Sequence, residues 1–108
     1  MTIKDDRNEF EKRQTKLIQE IASSFESRFE EAGLGRDQEL LENLVWDIAA
    51  ILDGSREMKL DGKLLLPFLT FAEKRGGGEL VATKGGSWMH EICGGVVDEM
   101  FGDEPPAS

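Results

Sequence analysis

A long amphipathic pattern near the start of the chain limits the folds available to it. From residue 8 to residue 32 apolar side chains recur with the 3.6-residue period of an α-helix, and the opposite face mixes acidic and basic groups. The apolar stripe comprises Phe10, Leu17, Ile18, Ile21, Ala22, Phe25, Phe29 and Ala32. Gly33 and Gly35 end the helix. Other elements must therefore cover one side of a long helix.

The length of this helix is comparable with the size of the whole domain. A chain of 108 residues is expected to form one domain. A helix over residues 8–32 is roughly 37 Å long, whereas a compact domain of this size has a diameter of roughly 34 Å. We expect a flexible N-terminus at 1–7, a compact domain at 8–101 and a disordered tail at 102–108. Either the first turns fray, or a homodimer forms through the N-terminal helix with Phe10 against a second copy.

Two further main helices are predicted. Asp37 is a good N-cap for a helix that ends at Asp53, directly before Gly54. Ser87 is predicted to cap a last helix that ends near Phe101. This helix contains two glycines in succession, which indicates a break or the close approach of another backbone.

The middle of the chain predicts short elements. Asp61-Gly62 is typical of a type I′ hairpin turn, and residues 80–83 resemble a strand. Pro67 suits the first turn of a short helix over 67–75. The predicted class is α+β and predominantly helical, with one short helix and a small antiparallel sheet of two or three strands. The alternative is an all-α bundle, in which Asp61-Gly62 only joins two helices.

Acidic residues are unevenly distributed along the chain. Residues 37–54 contain five acids and no Lys or Arg, and residues 85–108 contain the same. The formal net charge is −9 and the isoelectric point is about 4.6. Nucleic acids and anionic membranes are therefore not expected partners, because both require clustered basic side chains. Acidic side chains clustered in two segments instead favour solubility of the protein or binding of a basic protein partner.

The first residues and the cysteine content bear on location. The N-terminus is highly charged and lacks the apolar stretch of a secretory signal, and no apolar run approaches the roughly 20 residues that span a bilayer. Cys93 is the only cysteine, so that no intramolecular disulfide can form. We expect a soluble cytoplasmic protein without membrane association.

Trp46 is the leading candidate for a contact residue. On the second helix it lies nearly opposite the apolar face, among acidic and alanine side chains. Either another element of the chain covers it, or it is an exposed anchor whose surrounding charge steers a basic partner. The candidate partner-binding residues are Glu39, Glu42, Trp46, Asp47 and Asp53.

A glycine-rich turn before the last helix is the second candidate. Lys84, Gly85, Gly86 and Ser87 combine a cation, flexible amides and a helix N-terminus, which together suit an anion. The order of residues is not that of a Walker loop. The plainer interpretation is a turn followed by an ordinary serine cap.

Catalytic and metal chemistry have little support. His90 and Cys93 are three residues apart, but a tetrahedral zinc site needs at least three protein ligands and the chain has no other His or Cys. Cys93 falls within the apolar face of the last helix, together with Trp88, so that a buried structural thiol is expected. We expect no cofactor, no metal and no enzymatic activity.

The sequence thus favours a small acidic interaction module that binds a basic partner protein, with inhibition of that partner, as by an immunity protein, as one form of this function. A small anion- or ligand-binding protein or enzyme that uses the 84–87 turn and His90 is one alternative. A self-associating structural protein is the other.

Overall fold

The computed structural model describes residues 2–75 and 78–102 and shows a helix-dominated α+β domain. In chain order the elements are β1 (Thr2–Asp5), α1 (Arg7–Glu31), α2 (Gln38–Leu52), β2 (Met58–Leu60), β3 (Lys63–Leu65), β4 (Phe71–Ala72), β5 (Glu79–Ala82) and α3 (Met89–Phe101). The predicted fold class is confirmed. None of the described helices is both long enough and apolar enough to cross a bilayer.

The two long helices begin and end close to the predicted residues. The Asp6 carboxylate accepts a hydrogen bond from the Glu9 amide at the start of α1, and the same bond holds the pKa of Asp6 below its ordinary value. Asp37 caps α2 as predicted, because its Oδ1 accepts from the Leu40 amide at 3.0 Å. Beyond α1, Gly33 adopts a positive φ of 75°, as is usual for a glycine after a helix.

The three helices share one core. Ile18 from α1, Val45 from α2 and Val97 from α3 have no exposed surface, and Phe29 and Leu41 extend the same cluster. Burial of a side chain of this kind contributes roughly 1.5–3 kcal/mol. Packing of these apolar side chains holds α2 and α3 side by side. It thereby positions the end of α2 against the start of α3.

Strand β5 is the centre of a three-stranded mixed sheet. It pairs parallel with β1 and antiparallel with β4, so that the predicted all-antiparallel arrangement is wrong for this sheet. Residues 1–7 were expected to be flexible, but Thr2–Asp5 form β1, and the Asp6 amide donates to Ala82 O at 3.1 Å. The first residues are ordered because β5 provides their backbone partners.

The hairpin prediction is confirmed and the all-α alternative is wrong. Strands β2 and β3 pair antiparallel, with Leu60 opposite Lys63. Asp61 and Gly62 both have positive φ, at 51° and 77°, which is the backbone of a type I′ turn.

No short helix forms after Pro67. Phe71 and Ala72 instead form β4, and Phe71 lies opposite Val81 of β5. The Phe71 ring also packs edge-on against Phe10 with 5.4 Å between the centroids. A helix of nine residues is marginal on its own, and the sheet offers this segment backbone partners and an aromatic contact in its place.

The paired glycines of α3 do not interrupt the helix. A Cβ built on Gly94 lies 3.0 Å from the Glu42 carboxylate of α2, whereas a Cβ on Gly95 meets nothing within 4 Å. The contact at Gly94 is with a side chain and not with another backbone, so that neither the expected break nor the expected approach of a backbone is seen at these glycines in the part of the chain that the structure describes.

The molecule is elongated, and this accommodates α1. Its longest dimension is 51 Å, compared with roughly 37 Å for a helix of 25 residues. Phe10 is 1% exposed because Phe71 and the sheet cover it within the same chain. The homodimer through α1 stays a prediction, but the buried Phe10 is not available to contact a second copy. The predicted tail lies outside the described residues, apart from Gly102 at the end of α3.

Candidate functional site around His90

The carboxylate of Asp53 is the centre of the candidate site. Its side chain is 1% exposed, and it accepts hydrogen bonds from the Ser87 hydroxyl, from the His90 amide at 2.8 Å and from His90 Nδ1 at 2.7 Å. A buried carboxylate is tolerated only when donors surround it, and these three groups provide them.

Two helices meet at this carboxylate. Asp53 follows the last residue of α2, where the helix dipole disfavours a negative charge, but it also lies at the first turn of α3, where the dipole favours one. The His90 amide that it binds is one of the donors that a helix N-terminus leaves without a partner. Asp53 therefore caps α3 from a distance of 37 residues in sequence.

The prediction that Ser87 caps α3 is wrong, because Asp53 caps this helix instead. The N-cap residue of α3 is Trp88, which makes no side-chain capping bond, and Ser87 is buried with its hydroxyl directed at Asp53. The Trp88 amide is satisfied by Gln14 Oε1 of α1, at 3.3 Å. Distant side chains thus replace the local serine cap.

His90 is held in one orientation. A carboxylate only accepts hydrogen bonds, so that Nδ1 carries the proton in the contact with Asp53. In the neutral ring the other nitrogen, Nε2, is then an acceptor. The side chain is 17% exposed, and Ser55 Oγ lies 3.5 Å from Nδ1.

Two tryptophans contact the His90 ring. The Trp46 centroid lies 5.9 Å away in an edge-to-face arrangement, and the Trp88 centroid lies 5.8 Å away with tilted planes. Trp46 is 45% exposed and Trp88 is 52% exposed. Trp88 was expected to belong to the apolar face of the last helix, and this expectation is wrong. The two exposed indoles and the partly buried imidazole form a surface that we call the aromatic surface: Trp46, Trp88 and His90.

Further apolar side chains lie close to the aromatic surface. A Cβ built on Gly54, which follows Asp53, would lie 3.6 Å from Leu66, and a Cβ built on Gly86, which precedes Ser87, would lie 4.0 Å from Phe68. Leu66 and Phe68 are both mostly exposed. Exposed apolar groups of this size beside two half-exposed tryptophans are typical of an interaction site.

The predicted partner-binding acids do not form a ring around Trp46. Glu39 and Asp47 are exposed, and Asp47 pairs with Arg56 at 3.6 Å. Glu42 is half-buried against Gly94 of α3. Asp53 is withdrawn from the surface altogether by its bonds to α3. The acids available to a partner are therefore Glu39, Asp47 and part of Glu42.

The predicted anion-binding turn has its best donors already in use. Lys84 and Gly85 are exposed, but the Gly86 amide donates to Thr83 O at 2.9 Å. Ser87 donates to Asp53, so that an internal carboxylate already occupies the place predicted for an external anion.

Cys93 is a structural thiol, as expected. It is fully buried, and its Sγ donates to Met89 O at 3.0 Å. Burial, together with the nearby Asp53 and Glu42 carboxylates, raises the pKa of the Cys93 thiol to about 11. Within residues 2–75 and 78–102 no three His, Cys, Asp or Glu side chains are placed to hold a metal ion.

Sequence reasoning identified Trp46 and Asp53 but missed their connection to His90 and Trp88. The only available signal was that a single His lies two residues from a Trp at the start of a helix.

The chain matches no protein-family model, no curated protein and no solved structure. Its function is therefore inferred from the geometry of this site.

Proposed function

We propose that the chain is an acidic protein-interaction module that binds a basic partner protein through the aromatic surface. The exposure of Trp46 and Trp88, both in contact with a His90 ring that Asp53 holds, is the observation that carries this proposal. Tryptophan is enriched among residues that dominate binding energy, and large apolar side chains are rarely left in water without a partner.

The chemistry of the surface favours a cationic side chain. An Arg guanidinium or Lys ammonium over an indole face is attracted by the ring, by about 0.5–2 kcal/mol depending on desolvation. Two indoles are available here, and α2 adds the exposed carboxylates of Glu39 and of Asp47, which pairs with Arg56 at the surface. An arginine of the partner that reaches Trp46 would therefore meet both an aromatic face and a negative field.

Pre-organisation supports the same interpretation. Asp53 fixes His90 through both its backbone amide and its ring, and the fixed ring contacts both indoles. A surface that is already ordered loses less conformational entropy when it binds. The buried bonds of Asp53 thus contribute to binding although the carboxylate itself does not reach the partner.

The net charge of −9 acts at longer range. It accelerates encounter with a basic protein and disfavours acidic competitors. A protein of this kind inhibits its partner when it covers a cationic active site, as an immunity protein does. The cytoplasmic location expected from the sequence is part of this proposal.

A catalytic role for the Asp53–His90 pair has less support. In a nucleophilic site the serine donates to the histidine. Here the Ser87 hydroxyl donates to Asp53 instead, and Ser87 is 4% exposed. The absence of enzymatic activity stays a prediction.

The proposal is tested with the partner retrieved on the immobilised chain and then purified. We expect Trp46→Ala to weaken its affinity at least tenfold in calorimetric titration, because truncation of a central anchor costs about 1.4 kcal/mol or more. Replacement of Glu39 and Asp47 by lysine should slow association and reduce its dependence on salt.

Leu34→Ala is the matched control. Leu34 is also a large exposed apolar residue, but it lies beyond the end of α1 and outside the aromatic surface. Equal affinities for wild type, Trp46→Ala and the lysine variant would refute the proposed surface.

A further inference from the structure

A separate cleft is also lined by Trp88. Strands β1 and β5 run parallel, so that the chain leaves both at the same edge of the sheet, toward α1 and α3 respectively. A cleft of about 310 Å³ opens there, between the first turns of the two helices. Ligands commonly bind in the crevice at the carboxyl ends of parallel strands.

Gln14 supplies a hydrogen-bond donor to this cleft. Its side chain lines the cleft, and the residue is 7% exposed. Gln14 Oε1 must face the Trp88 amide, because that amide can only donate. The amide nitrogen Nε2 is then left without a hydrogen-bond partner among the residues that the structure describes, and it is not sealed from solvent. A carbonyl oxygen in the cleft would satisfy it.

Among the charged side chains that line the cleft, one carboxylate has no ion-pair partner in the described part of the chain and can bind a ligand. Arg7 and Glu11 line the cleft but pair with each other at 3.0 Å. Glu91 also lines it, is exposed, and forms no ion pair with any residue in 2–75 or 78–102. Trp88 lines the same cleft. A carboxylate next to an indole favours a cation.

The cleft does not suit an anion. The Trp88 and His90 amides at the start of α3 already donate to Gln14 and Asp53. The helix N-terminus therefore has little left to offer a negative group, and Glu91 repels one. The cleft is thus lined by a mostly buried hydrogen-bond donor, an unpaired carboxylate and a tryptophan.

We propose that this cleft binds a primary ammonium group next to a carbonyl, as found at the amino end of a peptide or in an amino-acid amide. The carbonyl oxygen accepts from Gln14 Nε2, and the ammonium pairs with Glu91 beside Trp88. A free amino acid fits less well, because its carboxylate adds a negative charge near Glu91. This site is independent of the basic-partner proposal, apart from the shared residue Trp88.

The test uses L-leucinamide and the fluorescence of Trp88. In Trp46→Phe the only remaining tryptophan is Trp88, since the chain has two. We expect a saturable change of its emission by about 10 mM L-leucinamide, where a site with a Kd near 1 mM is mostly occupied. N-acetyl-L-leucinamide, which lacks the ammonium group, should produce no saturable change.

Glu91→Gln should weaken L-leucinamide binding at least fivefold, while Glu99→Gln, an exposed acid farther along α3, should leave it unchanged. An absent response to L-leucinamide, or equal responses to the acetylated compound or in Glu91→Gln, would overturn the proposal. Because Trp46 is already replaced in this variant, these outcomes do not depend on whether a basic partner binds the aromatic surface.

Discussion

At the scale of single residues, Asp53 links local structure to the candidate site. One buried carboxylate ends α2, caps α3 and fixes His90 between two tryptophans. The sequence placed it among the surface acids, because helical periodicity reports only which face of one helix a residue occupies. The bonds that bury it come from residues 34 and 37 positions away. No local pattern contains that information.

Removal of this carboxylate should be costly. Asp53→Ala leaves the Ser87 hydroxyl and two His90 donors without their acceptor, so that we expect a loss of about 2–4 kcal/mol in the free energy of unfolding. Urea denaturation measures it. Asp47→Ala removes only an exposed ion pair and should change stability by less than about 1 kcal/mol. Similar losses in the two variants would show that the Asp53 bonds contribute little.

Cys93 should make stability fall at high pH. Burial raises the pKa of its thiol in the folded protein from 9.0 to about 11, so that the neutral form is favoured in the fold. Below pH 9 this contribution is fully present. Between pH 9 and pH 11 the thiol of the unfolded chain ionises first, and on the order of 2 kcal/mol is lost. Comparison with Cys93→Ala isolates the effect, because the variant should lose less stability over the same interval; parallel curves would contradict it.

At the scale of elements, the paired glycines of α3 have different surroundings. Gly95 is exposed and a Cβ there meets nothing, so that Gly95→Ala should stabilise the protein by about 0.5–1 kcal/mol through helix propensity. Gly94→Ala should gain less, because the new methyl group displaces the Glu42 carboxylate. Thermal melts of the two variants test the difference. A larger gain at Gly94 would contradict the packing of α2 on α3.

Elements specified by neighbouring residues could be predicted from the sequence. The stripe of α1, the Asp37 cap and the Asp61-Gly62 turn each depend on a few adjacent side chains, and all three are present. Strand β1 could not be predicted in this way. All four of its residues are exposed and its partner β5 is about 77 residues away, so that neither burial nor alternation marks it.

At the scale of the whole molecule, acidic residues outnumber basic ones, but not all of the acidic residues in α2 and its caps face solvent. Residues 37–54 contribute five acids, of which Asp53 is internal and Glu42 is half-buried against α3. The field that a partner meets near Trp46 therefore comes mainly from Glu39 and Asp47, added to the net charge of −9. The candidate site could be predicted only in part, because Trp46 was visible in its own helix whereas Trp88 and His90 reach it through tertiary packing.

The fluorescence of the unmodified chain tests most directly whether the aromatic surface binds cationic groups. The chain has two tryptophans and no tyrosine, and both tryptophans contact His90, so that the emission reports on this surface and, through Trp88, on the separate cleft. Titration with an arginine-rich peptide, acetylated at its amino end like its control so that neither occupies the cleft, should give a saturable change of emission, which weakens at high salt as surface charges are screened. It should also weaken at least tenfold in Trp46→Phe. An unsaturable response, or the same response to a glutamate-rich peptide of equal length, would contradict binding of a basic partner at Trp46 and Trp88.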